Sequence, residues 1–362
     1  MNKKFVTIFG TRPEAIKLYK ITKLLDNNTI VSTGQHRELL DKIINSLNIN
    51  IDYDLKLMKE NQDLNNLTSN IIIKTSNILQ QLNPDIVIVH GDTTTALASS
   101  IAAFHLKIKI AHVEAGLRSN NKLSPFPEEN NRSLISRMAT YHFCPTYNNI
   151  VNLNKENIYD NVYLTGNTGI DTLLNFSKSN DIPNSLSNIE KYIKSKYILV
   201  TCHRRENFGS GFENICNALI ELSKKFNDIN IIFPVHLNPN IKDIASKKLS
   251  NYENILIIEP QEYIEFIYLM KNCFFILTDS GGIQEEAPSL NKPVLVMRDE
   301  TERNEVIEAG CVKLVGSNIE NIISHSTNLI QNINYYNSMI NINNPYGDGF
   351  ASEKIIKVLN NL

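Results

Sequence analysis

Short apolar runs recur along this chain, each closed by small or polar residues and followed by a longer stretch with apolar positions at helical spacing. The runs are 5–9, 86–90, 110–113, 141–144 and 162–165, then 197–201, 229–235, 255–258, 274–278 and 294–297. Each is too short for a helix and nearly continuous in apolar residues, as a strand buried on both faces is. Segments such as 93–106 and 211–226 have the length of crossover helices. The alternation predicts an α/β chain with two Rossmann-like, doubly wound parallel-sheet domains. Between the two clusters of runs, 176–196 is polar, rich in Asn and Ser, and interrupted by Pro183. The domain change is placed near Gly166-Asn167, giving domains 1–166 and 167–348. After Asn344-Pro345-Tyr346-Gly347-Asp348-Gly349 comes an amphipathic run, 351–362. It suits either domain and is assigned, as 349–362, to the first. Ligands of such sheets sit beyond the carboxyl ends of the strands, so two domains facing a cleft are expected, with the site between them.

Composition narrows the classes. The chain has 362 residues, 42% hydrophobic and 20% charged, ordinary values for a soluble globular protein. A net charge of −2 argues against a nucleic-acid partner. No apolar run reaches the roughly 18 residues of a membrane span, which argues against a membrane partner. The apolar part of the N-terminus is too short for a signal peptide and runs straight into Thr11-Arg12-Pro13-Glu14. Cys144, Cys202, Cys216, Cys273 and Cys311 are scattered, with no Cys-x-x-Cys. That pattern fits reduced thiols in the cytoplasm and neither a disulfide framework nor a zinc site; no metal is expected.

Candidate chemistry falls at the ends of the predicted strands. Asp279-Ser280-Gly281-Gly282-Ile283-Gln284-Glu285-Glu286 follows the run 274–278. Amides freed at such a helix start form a cradle for phosphate, and Glu286, one turn on, can accept hydrogen bonds from ribose hydroxyls. Together they point to a nucleotide or nucleotide-sugar; a merely capped helix is the alternative. Gly10-Thr11-Arg12-Pro13-Glu14 is not G-x-G-x-x-G, so no tightly bound dinucleotide cofactor is indicated; Arg12 and Lys17 form a modest anion signal. Asp92, Glu114 and Glu128 lie at or just after the ends of successive strands of one sheet. Asp92 could be an N-cap, and Arg118 and Arg132 could make the group a structural ion-pair network. Converging acids more often mark acid/base sites. His203 beside Arg204 and Arg205 suits a departing diphosphate, His236 ends another strand, and Arg303 follows the strand after the cradle.

These motifs occur in order with Gly34-Gln35-His36-Arg37, and together they resemble the bacterial non-hydrolysing UDP-N-acetylglucosamine 2-epimerases across nearly the whole chain. The resemblance implies a glycosyltransferase-B-type fold, a homodimer, no cofactor, and interconversion of UDP-GlcNAc and UDP-ManNAc for bacterial surface polysaccharide. The C2 proton of this sugar is not α to a carbonyl. Elimination of UDP to a 2-acetamidoglucal, then re-addition with protonation on the opposite face, inverts C2 without redox chemistry. By matched position, Asp92, Glu114 and Glu128 are expected as acid/base carboxylates and His203 as the group assisting diphosphate departure. Arg12, Ser280, Gly281, Gly282 and Arg303 are expected on the diphosphate, Glu286 on the ribose, and Lys17 and Arg132 on the sugar. A second, activating UDP-GlcNAc site would involve Gln35, Gln62, Arg204 and His236. Glu38 and Asn61 depart from the family pattern there, adding an anion and losing a cation, which weakens binding of a second diphosphate. A hydrolysing epimerase releasing UDP and ManNAc, or an epimerase acting on a modified UDP-HexNAc, are the alternatives. A glycosyltransferase of the same fold and a non-catalytic nucleotide-sugar sensor fit the acidic cluster less well.

Overall fold

A computed structural model describes residues 3–35, 37–58, 62–204, 207, 209–235 and 239–362. The chain forms two compact units, Met1–Thr172 with Tyr346–Leu362, and Leu173–Pro345.

The first unit is built on a seven-stranded sheet of β1 (Phe5–Phe9), β2 (Asn28–Ser32), β3 (Tyr53–Asp54), β4 (Ile86–His90), β5 (Lys109–Val113), β6 (Tyr141–Cys144) and β7 (Val162–Leu164), in the order β3-β2-β1-β4-β5-β6-β7. Every pairing is parallel. All five positions of β1 and of β4 are buried, which is why these strands read as unbroken apolar runs. The helix Thr94–His105 contributes Ala96, Ala102 and Ala103 to the core over Val6, Ile8, Val87 and Val89; small side chains let it lie close to the sheet. Asp171 accepts hydrogen bonds from the amides of Ala351 (3.0 Å) and Ser352 (2.6 Å), capping the helix Ala351–Asn360 within this unit.

The second unit repeats the plan with β8 (Tyr197–Thr201), β9 (Asn230–Pro234), β10 (Ile255–Ile258), β11 (Phe275–Thr278), β12 (Val294–Val296) and β13 (Val312–Leu314), all parallel, in the order β10-β9-β8-β11-β12-β13. Val200, Phe233, Phe275 and Leu277 fill its core with Phe212, Leu219 and Leu222 of the helix Ser210–Lys225. The expectation of two doubly wound parallel sheets is met. Three strands, β2, β3 and β13, were not foreseen. In β2 only Ile30 and Val31 are apolar, β3 is a two-residue edge, and β13 is an edge strand with exposed Lys313 at its centre.

In each unit the strand order reverses at one place, between β1 and β4 in the first and between β8 and β11 in the second. The loops leaving these two pairs of strands diverge, and such a switch point is where an open α/β sheet offers a ligand crevice.

Candidate active site

At the first switch point, Glu14 ties the exits of β1 and β4 together. Its Oε2 accepts from the amides of Gly10 (3.0 Å) and Thr11 (2.8 Å) and the Thr11 hydroxyl (2.8 Å), and its Oε1 accepts from the Thr93 hydroxyl (2.7 Å). Thr93, in turn, caps the helix Thr94–His105 by accepting from the Ala96 amide at 3.0 Å. The cap is therefore Thr93, and Asp92 is left for other work. Arg12 opens the helix Arg12–Leu24 directly after β1.

The three predicted carboxylates stand on the same edge of this sheet. Asp92, two residues past β4, is paired with Arg132, whose Nε lies 3.0 Å from Oδ2 and whose Nη2 contacts the same oxygen. Asn131 donates to the Asp92 carbonyl at 2.9 Å, so two neighbours on one helix hold both ends of the residue. Glu114 follows β5 directly with φ of +63°, a left-handed conformation that costs a non-glycine residue on the order of 1 kcal/mol or more. Its carboxylate is paired with Lys17, and His90 Nε2 stands 3.5 Å away without forming a hydrogen bond. Burial works against the charge of Glu114, yet Lys17 and His90 hold its carboxyl well below the usual range. Glu128 begins the helix Glu128–Met138 that also carries Asn131 and Arg132, which brings its backbone beside the Asp92 turn.

Sequence reading passed over the residue next to it. Glu129 is buried, accepts from the amides of Ser119 (2.8 Å) and Asn120 (3.0 Å), and holds Arg132 Nη1 at 3.0 Å. The i, i+3 spacing of Glu129 and Arg132 was the available signal. Arg118 is turned away to a pair with Glu156, Nε to Oε1 at 2.6 Å.

At the second switch point the buried acid is Asp279. It accepts from the amides of His203 (3.0 Å) and Arg204 (2.8 Å) and from Asn207 Nδ2 (3.1 Å), and His203 Nδ1 lies 3.2 Å from its other oxygen. Burial raises its pKa, but the His203 contacts and the amides outweigh that and bring it down to about 2. The His203 side chain remains 45% exposed. Thr201 and Thr278 hydroxyls, 2.6 Å apart, cross-link the same two strands beneath. Cys202, beside His203, is buried with its thiol pushed well above the ordinary range, chiefly by burial, and so is not a nucleophile.

Ser280, Gly281 and Gly282 lead into the helix Gly281–Glu286, which Glu286 ends. Arg303 lies against this turn. A Cβ on Gly281 would meet its Cζ at 2.8 Å, so glycine is what allows the guanidinium to come this close. Arg303 Nε is fixed by Glu285 at 3.0 Å and Nη1 by Glu302 at 2.9 Å. Above Gly282 the space is open to 4 Å. The predicted diphosphate residues Ser280, Gly281, Gly282 and Arg303 are thus gathered at one place in the second unit.

Of the residues expected at an activating site, Gln35 accepts from the Thr95 amide (3.1 Å) and hydroxyl (2.8 Å), Arg204 is half-buried beside Asp279, and Gln62 precedes the helix Leu64–Leu82. His236, like Asn61 and Arg205, lies outside the described residues. Among the described residues there is no group of three or more His, Cys, Asp or Glu able to hold a metal ion, and no helix long and apolar enough to cross a membrane.

Known proteins match this chain in sequence and in fold. The UDP-N-acetylglucosamine 2-epimerase family model matches residues 22–360. The UDP-N-acetylglucosamine 2-epimerase of Campylobacter jejuni is 50% identical over 376 residues, covering 99% of this chain and 98% of its own. That of Escherichia coli K12 is 46% identical over 370 residues, with the same coverage. Among solved structures, the Neisseria meningitidis UDP-GlcNAc 2-epimerase bound to UDP-GlcNAc matches with a TM-score of 0.86 at 47% identity, over 98% of this chain and 99% of that one. The Methanocaldococcus jannaschii UDP-GlcNAc 2-epimerase matches with a TM-score of 0.84 at 35% identity, over the same shares. The two parallel-sheet units are of the glycosyltransferase-B-like kind, and the chain belongs to the UDP-N-acetylglucosamine 2-epimerase family.

Proposed function

We propose that the protein interconverts UDP-N-acetylglucosamine and UDP-N-acetylmannosamine without net hydrolysis. A carboxylate of the first unit takes the C2 proton as the C1–O bond breaks. UDP leaves with that electron pair, and a C1–C2 double bond remains in 2-acetamidoglucal. A second carboxyl group returns a proton to the other face of C2 as a phosphate oxygen rejoins C1. Glu114, held ionised by Lys17, suits the accepting role. Asp92 and Glu128 are the remaining acid/base candidates, and Lys17 and Arg132 are assigned to the sugar side as well as to their carboxylates. The diphosphate is assigned to Arg303, Arg12 and the Ser280–Gly282 turn, the ribose to Glu286. His203, oriented through Nδ1 by Asp279, would offer Nε2 to the departing oxygen.

The observation that carries this reading is the matched set of fixed charges: carboxylates held by cations at one switch point, and a cation beside a glycine turn at the other. The UDP-GlcNAc bound by the Neisseria meningitidis relative supports the same ligand here. The reading includes a homodimer, as the resemblance to the family implies. A cytoplasmic setting fits the five buried thiols, and the product would supply ManNAc-type residues for a bacterial surface polysaccharide. Glu38 and the missing cation at position 61 argue that activation by a second UDP-GlcNAc is weak.

Proton NMR of UDP-GlcNAc with the protein in deuterated water tests the reading. Deuterium should enter C2 and UDP-ManNAc should accumulate, with free UDP remaining a trace. Stoichiometric UDP and free ManNAc would establish the hydrolysing alternative. Asp92→Asn should slow C2 exchange by about a thousandfold while UDP affinity stays within about twofold; near-normal turnover would remove Asp92 from the chemistry.

A further inference from the structure

Three buried histidines occupy successive strands of the first unit: His90 on β4, His112 on β5 and His142 on β6. The proposed reaction uses none of them, and they differ in what they touch. His112 is fully buried, and its Nε2 lies 2.7 Å from the carbonyl oxygen of Gly91. Gly91 leaves β4 with φ of +64°, a conformation in which its carbonyl turns out of the sheet ladder. Its amide is held by the Val113 carbonyl at 2.9 Å. Gly91, the residue before Asp92, is therefore fixed at its amide by the β5 backbone and at its carbonyl by a β5 side chain. Glu114 lies two residues beyond His112, and a Cβ on Gly91 would come within 3.7 Å of Glu114 Oε1. One side chain thus registers both carboxylate-bearing exits.

We infer that His112 is a positioning residue, whose Nε2–H donates to the Gly91 carbonyl and thereby fixes where the Asp92 carboxylate stands relative to Glu114. This rests on the proposed epimerase reading. A carbonyl can only accept, so the contact requires the proton on Nε2 and leaves Nδ1, which has no hydrogen-bond partner, as a bare nitrogen. The surroundings keep the ring neutral. Burial lowers its pKa to about 3; the Gly91 carbonyl opposes this, while His142, His90 and Arg118 add to it. A neutral donor suits the place, since an imidazolium beside Asp92 and Glu114 would draw their charge away from the sugar.

The test compares His112→Phe, which keeps a ring and removes the donor, with His112→Gln, whose amide can still donate to Gly91. Loss of the donor should lower kcat for C2 exchange by about tenfold to a hundredfold, as displaced reacting groups do. KM and UDP affinity should hold within about twofold, and His112→Gln should recover most of the rate. Equal loss in both variants, or a rate for His112→Phe within about twofold of the parent, overturns the positioning role. Imidazole nitrogen NMR of the unmodified protein gives a readout free of activity and of any folding defect in the variants. A neutral Nε2–H ring between about pH 5.5 and 8 is expected, and an Nδ1–H or charged ring overturns the inference. A parent protein that exchanges no C2 hydrogen rejects the epimerase reading and the positioning role together. Exchange by the parent and by His112→Phe alike rejects the positioning role alone.

Discussion

At the β1–β4 exit Glu14 collects four hydrogen bonds, from two amides and two hydroxyls; at the β8–β11 exit Asp279 collects the amides of His203 and Arg204, the Asn207 side chain and the His203 ring. Each is a buried carboxyl that staples the two loops of a switch point, and each was placed there by an independent stretch of sequence. Their charge states diverge. Burial raises the pKa of Glu14, and its neutral donors, together with the charge effect of His90, only partly oppose that. Asp279 is also buried, though less deeply, and the His203 ring contacts it directly, so its pKa falls to about 2. The same geometric device therefore yields a group biased to neutrality in one unit and a fixed anion in the other. The difference suits what each loop pair carries. A charged Glu14 would add to the like charges of Asp92 and Glu114. A charged Asp279 holds a histidine whose proposed task is to meet a phosphate oxygen.

The largest effect expected from breaking this pairing is that of Asp279→Asn. An amide cannot accept with both ends. With its oxygen kept toward the His203 and Arg204 amides and Asn207, its nitrogen would face the His203 ring, which then loses its anionic anchor. Turnover should fall about a hundredfold or more, with a lower Tm, while the first unit's rim is untouched. Parent-like kcat in this variant would show that Asp279 serves packing alone.

Stability against pH separates the two acids by sign. Asp279 has its folded pKa depressed from 3.8 to about 2. Its contribution, roughly 2 kcal/mol at 1.36 kcal/mol per pKa unit, is present above the unfolded value and lost as pH falls toward 2. Glu114, also depressed, behaves alike. Glu14 is raised, so its unfolded form ionises first. Stability then declines as pH climbs from the ordinary glutamate range through the folded value. Urea titrations from pH 3 to 8 on the parent should show acid-side loss, which Asp279→Asn flattens. A parent whose stability is flat below pH 5 would contradict both depressed pKa values.

Most of the fold was legible in the sequence. The strands of the two sheet centres, β1, β4, β8 and β11, read as unbroken apolar runs because both their faces are covered. The turn chemistry after β4, β5, β8 and β11 put forward Asp92, Glu114, His203 and the Ser280–Gly282 turn as candidates. What stayed hidden has a common cause. Edge strands β3 and β13 bury too little to leave a pattern. Glu14, Glu129 and Asp279 look in sequence like the exposed acids of helix starts, and only the fold shows them buried under amides. His112 sits in a run so apolar that it reads as core, and its role depends on the left-handed carbonyl of Gly91 on a neighbouring strand. Single residues announce their chemistry; the groups that hold them in place are defined by partners far away in the chain.

The smallest effect belongs to Glu14→Gln, and it sharpens the comparison most cleanly. The amide is nearly isosteric with the acid. Its oxygen can take the Gly10 and Thr11 donors, and its nitrogen can donate to the Thr93 hydroxyl, which already accepts from Ala96. A protonated Glu14 would make the same set of bonds, so replacing it should change stability at neutral pH by less than about 1 kcal/mol. The decline attributed to Glu14 on the alkaline side should vanish, because nothing at that position titrates. Kinetics should change least of all the variants, since the loops remain stapled. A loss of several kcal/mol at pH 7 would mean that four neutral donors, with His90 beside them, suffice to keep a buried carboxylate charged. In that event the contrast with Asp279 would lie in what the loops carry, and no longer in what faces the acid.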